Sequence, residues 1–105
     1  MHWACLVLAG ILEVVWAYFM KQSHGFTRLW PSVATIVTML GSFGLLAFAM
    51  RAIPLGTAYT IWTGIGAVGA FVVGIILLAE PVSAPRIIAA LLIISGLVLM
   101  KLSSN

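Results

Sequence analysis

The chain has 105 residues, 64% of them hydrophobic and 7% charged, against roughly a quarter charged in an ordinary soluble domain. A soluble fold of this length hides only about 60–65% of its unfolded surface, so burying this much apolar side chain requires lipid as solvent. The net charge of +3 comes from five scattered residues, Lys21, Arg28, Arg51, Arg86 and Lys101, with no cluster to track a phosphate backbone, which excludes nucleic acid as a partner.

The first apolar stretch, Trp3 to Met20, predicts a membrane-spanning helix over residues 2–21. It lacks the basic start of a signal peptide and runs on past a carboxylate, so it is expected to be mature structure. Cys5 within it has neither a partner for a disulfide nor a metal-ligand spacing, which leaves no metal site or cofactor to expect. Ser23-His24-Gly25 then breaks the pattern, and Pro31 to Met50 predicts a second span over 30–50. After Arg51 to Gly56, with Pro54, the stretch Thr57 to Ala79 predicts a third over 55–79. Glu80-Pro81 and Pro85 separate it from Ile87 to Met100, a fourth span over 84–103. That last stretch is short, with Arg86 and Lys101 expected to snorkel to the two interfaces. Connections this short leave no room for a soluble unit, so residues 1–105 form a single four-helix transmembrane domain, an all-α membrane protein.

Glu13 is the ionisable side chain inside the first span, about 15 Å along the helix from Trp3 and so near mid-membrane. A carboxylate there costs about 2.5–3.5 kcal/mol on insertion scales, and such acids mark proton or ion paths. Glu13 is therefore expected to hold either a proton or a cation, and that competition suffices for antiport by alternating access. Gly10, Trp16 and Ala17 lie three and four residues from it, giving one face a small notch, the acid and an aromatic wall.

In the third span, Tyr59, Trp62, Thr63 and Gly66 share the same spacing. Gly64, Gly66 and Gly69 serve either close helix packing or a hinge, and both uses fit the pattern. Ser42 is the strongest polar candidate of the second span, placed to hold the Glu13 carboxylate in one rotamer. The fourth span offers small residues, among them Ala90 and Gly96, and is assigned to dimer contact. Glu80, Lys21, Arg28, His2 and His24 read as interface or loop residues.

Four spans put both termini on the side of Arg51 and Lys101, opposite Lys21, Arg28 and Arg86. A difference of one basic residue does not fix orientation, so the chain is free to insert both ways and pair antiparallel with an inverted copy.

Over essentially its whole length the chain resembles the small multidrug resistance transporters: four spans, a lone acid in the first, and Gly25-Phe26-Thr27-Arg28 before Pro31. Glu13-Val14-Val15-Trp16 and Trp62-Thr63-Gly64-Ile65-Gly66-Ala67 are most similar to the guanidinium-exporting subtype. The resemblance implies an antiparallel, dual-topology homodimer in the inner membrane, a transporter and not an enzyme. It also implies a pocket shared by two Glu13 side chains, with Ser42 as their partner and Trp16, Tyr59 and Trp62 as the frame. Guanidinium, a charged planar fork of donors, suits a carboxylate. Export of quaternary ammonium ions by the same machinery is the alternative, with Met39, Gly41, Phe43 and Gly44 as an apolar portal; a non-transporting accessory subunit is a further one.

Overall fold

The computed structural model describes residues 1–103, and it is all-helical among them. Helix α1 spans His2–Gln22, α2 Leu29–Ala49, α3 Leu55–Leu78 and α4 Ala84–Leu102. All four are long and apolar enough to cross a membrane. At 1.5 Å per residue the shortest, α4 with 19 residues, covers about 28 Å, and α3 with 24 covers about 36 Å. Its glycines each lower helix propensity by about 1 kcal/mol, yet α3 stays continuous. In an apolar surrounding the backbone has nothing else to bond with, so the helix is the low-energy solution even for a glycine-rich run.

The connections are local hydrogen-bonded devices. Ser23, fully buried, donates its hydroxyl to the Met20 carbonyl at 2.6 Å and accepts the Phe26 N–H at 3.0 Å. This clamp organises a turn in which His24, Gly25 and Phe26 all take positive φ. Glycine alone meets that backbone without steric cost, so the bonds to Ser23 are what hold the other two in place. Helix α2 carries Pro31 in its first turn, where a missing N–H costs nothing. At the far end of α3, Ala79 is left-handed and the Glu80 N–H bonds back to the Gly74 carbonyl at 3.0 Å. That reversal folds the Glu80 side chain onto Gly74.

Helix α1 is central, packed on both α2 and α3, while α4 packs on α3 and reaches α1 through Lys101, whose Nζ lies 4.5 Å from the centre of the Trp3 ring. The result is a slab with principal extents of 43 × 34 × 17 Å. The buried apolar side chains gather at one end: Leu6 and Ala9 of α1, Leu46 and Ala49 of α2, Ile53, and Ala58, Ile61 and Trp62 of α3. Toward the Lys21 end the helices part, leaving a cavity of about 370 Å³ between α1 and α3. Glu13 thus stands where the tightly packed end gives way to the open one.

Candidate functional site

Residues of α1, α2 and α3 converge around Glu13 because small residues let the helices approach. A β-carbon at Gly10 would lie 2.7 Å from the Ile65 side chain, and one at Gly69 would overlap Val14. Between these contacts the Glu13 carboxylate lies against Gly66, in the space a β-carbon would fill. Its Oε1 is buried and has no hydrogen-bond partner among the described residues, and neither has Nε1 of Trp16, one turn away.

Ser42 is fully buried on α2, but its hydroxyl is engaged away from Glu13. It donates to the Ala9 carbonyl at 2.6 Å and accepts the Trp62 indole N–H at 3.0 Å. The bond from Ser42 to Glu13 expected from the sequence is therefore not made in this conformation. Ser42 instead ties α2 to α1 and locks the Trp62 ring, because a buried hydroxyl and indole N–H each need a partner and find one another.

The aromatic wall is continuous and includes a ring that spacing on α1 and α3 did not reveal. Phe43 stands edge-on to Trp16, with centroids 6.3 Å apart, and to Trp62 at 5.8 Å; Trp62 in turn meets Tyr59 at 5.6 Å. Phe43 joins rings from two helices that its own sequence neighbourhood does not mention. The adjacent Ser42 was the available clue, since two neighbouring positions on α2 carry the polar tie and the aromatic link.

Not every candidate faces the acid. Tyr59 and Thr63 line a groove of about 470 Å³ between α3 and α4, together with Gly64 and Gly96. A β-carbon at Gly64 would overlap Leu97 of α4, so this glycine seats α4 whereas Gly66 and Gly69 seat α1. Gly96 has open space around it, and Ala90 lies on a second, smaller groove of the same helix pair.

A buried acceptor left unpaired costs roughly 1–3 kcal/mol, more if charged. A proton, or a cation that brings its own donors, relieves that cost at Glu13, and the flanking ring faces attract positive charge. The Ser42 hydroxyl and the Trp62 indole are already committed to other partners, whereas the Trp16 indole N–H, one turn from Glu13, is not. Four membrane-capable helices around one sheltered acid define a small multi-pass membrane protein whose site is suited to a cation.

Comparison with known proteins agrees. The family model for the Small Multidrug Resistance protein matches residues 1–94, and the chain belongs to this family of transporters. Among its relatives are the guanidinium exporter of Escherichia coli (strain K12), 52% identical over 105 residues with both chains covered in full, and that of Salmonella typhimurium, with the same identity and coverage. The guanidinium exporter of Yersinia pestis is 54% identical over 104 residues, covering 99% of this chain and all of the relative.

Proposed function

We propose that this protein exports guanidinium across the inner membrane in exchange for protons, with both ions competing for Glu13. The observation that carries this reading is the buried, unpartnered Oε1 of Glu13 beside an aromatic wall. Guanidinium supplies donors to that acceptor and a flat face to the rings, whereas a tetraalkylammonium ion supplies no donor at all. The full-length relatives named guanidinium exporter support the same substrate.

The working unit is an antiparallel homodimer. Helix α4 has no buried residue within the protomer, packs its backbone against α3 alone and reaches α1 through Lys101 over the Trp3 ring, and a β-carbon at Gly96 would meet open space, which fits a face that a second copy covers. The near-balance of basic residues at the two ends supports dual insertion. Two inverted copies place two Glu13 carboxylates near one midplane, and rocking of one copy against the other changes which end is open. Glu13, Trp16, Ser42, Tyr59, Trp62 and Thr63 are the substrate and proton residues of this reading. Gly10, Gly64, Gly66 and Gly69 are its packing positions.

The test is transport in proteoliposomes under a pH gradient. Guanidinium uptake coupled to proton movement, absent in Glu13→Gln, is the expected result. Activity with quaternary ammonium ions alone would transfer the assignment to that substrate class, and no proton-coupled flux of either would end the antiport reading.

A further inference from the structure

The open end of the bundle holds a second arrangement that the Glu13 site does not use. The chain has two acids, and both are docked on one face of α3: Glu13 against Gly66 and Glu80 against Gly74, eight residues or about 12 Å apart. The cavity between α1 and α3 begins beside Val14, next to Glu13, and ends at Glu80. At this mouth lies a guanidinium group supplied by the chain itself. The Arg86 Cζ sits 5.5 Å above the centre of the Phe71 ring, and its Nη1 donates to the Pro81 carbonyl at 3.2 Å. Glu80 and Arg86 line the same cavity.

We propose that this mouth is a peripheral guanidinium-binding site, in which the Arg86 side chain holds the Phe71 face and the Pro81 carbonyl as a tethered stand-in for the substrate, and Glu80, on the same cavity wall but not paired with Arg86, supplies the carboxylate. An aromatic face, a carbonyl acceptor and a nearby carboxylate are the groups a planar donor-only cation requires. Because Arg86 and free guanidinium share one head group, exchanging them leaves the charge of the cavity unchanged. The positive neighbour Lys21 therefore opposes the exchange no more than it opposes Arg86. Lys21 is also exposed at the rim, where water screens it. Arg86 stands on the first turn of α4 and is itself exposed, so its head can leave for the interface when a free cation arrives. Substrate would then pass between a peripheral carboxylate and Glu13 along the glycine-lined face of α3.

The choice of ligand rests on guanidinium being the substrate, so the test is run with the central site removed. Guanidinium chloride is titrated by calorimetry into purified Glu13→Gln and into Glu13→Gln/Arg86→Met, with tetramethylammonium chloride as the cation that has no donors. Removing the tethered competitor, present at an effective concentration in the millimolar range, is expected to tighten Kd for guanidinium about tenfold. Adding Glu80→Gln is expected to abolish that gain, and tetramethylammonium to leave it undisturbed. Arg86→Gln, which keeps a polar head at the interface, serves as the second variant. In the Glu13→Gln protein with Arg86 intact, the Arg86 Nε–H resonance is expected to move with guanidinium and not with tetramethylammonium at equal ionic strength. Equal guanidinium affinity with and without Arg86, a gain indifferent to Glu80, or a static Arg86 resonance would each overturn the proposal. Failure of the central-site reading shows separately, as absence of Glu13-dependent binding in the unaltered protein.

Discussion

The carboxylate of Glu13 lies against the backbone of Gly66, occupying the volume that any larger residue at 66 would claim. The acid of α1 is thereby seated on α3, and the position of its carboxylate is set by the absence of a single side chain on its neighbour. Gly66→Ala is expected to displace the carboxylate and weaken guanidinium binding by 10- to 100-fold, the equivalent of about 1–3 kcal/mol of overpacking. Gly56→Ala, whose added β-carbon would meet nothing within 4 Å, is the control and should bind as the unaltered chain does. Binding isotherms of the two variants, with helicity checked by circular dichroism, decide the point.

The proposed competition for one carboxylate carries a sign for the pH dependence. If a proton on Glu13 excludes the cation, affinity for guanidinium should fall as pH falls. In the range where the protonated form dominates, Kd should rise about tenfold per pH unit, levelling off where the acid is ionised in the free protein. Calorimetric titrations across that range, together with proton release measured on binding in weak buffer, check it. A Kd that does not vary with pH would contradict a shared site.

Ser42 joins three helices through two bonds, to the Ala9 carbonyl and from the Trp62 indole. Ser42→Ala leaves both partners buried without a mate, and at roughly 1–3 kcal/mol for an unsatisfied group the fold should lose about 2 kcal/mol. Trp62→Phe removes one of the same bonds, so the double variant should be less destabilised than the sum of the two singles by about 1 kcal/mol. Denaturation in mixed detergent micelles gives all four values of the cycle.

A β-carbon at Gly96 would meet no atom within 4 Å in the protomer, so a side chain can leave the helix there without displacing a neighbour at its base. If a second copy covers α4, Gly96→Trp should shift the dimer toward monomers by at least tenfold in Kd while leaving the helical content intact. Single-molecule subunit-capture measurements in liposomes report the change. An undisturbed dimer would place the interface on another face.

Leu97 packs into the gap left by Gly64, and this contact holds α4 to α3. Gly64→Ala is expected to loosen α4 and speed proteolytic clipping at the Pro81–Ser83 connection. Leu97→Ala should do the same by removing the contact from the other side. Limited proteolysis in nanodiscs follows both.

The four helices and the singular place of Glu13 are legible in the amino-acid order, because the reasons for them are local or solvent-imposed. An unbroken apolar run in lipid must satisfy its own backbone, and Pro31, Pro54 and Pro85 mark where it starts again. A lone carboxylate in such a run is costly wherever its helix packs, so its importance does not depend on its neighbours. Which faces meet is a different matter. Gly64 and Gly66 are two residues apart, yet one seats α4 and the other the acid of α1. Ser42 turns to Ala9 and Trp62 instead of Glu13, Phe43 joins Trp16 to Trp62, and Thr63 looks toward α4. Helices apolar on every side carry little periodicity to orient them, so the tertiary structure decides these pairings through the fit of small residues to large ones and the need of each buried donor for an acceptor.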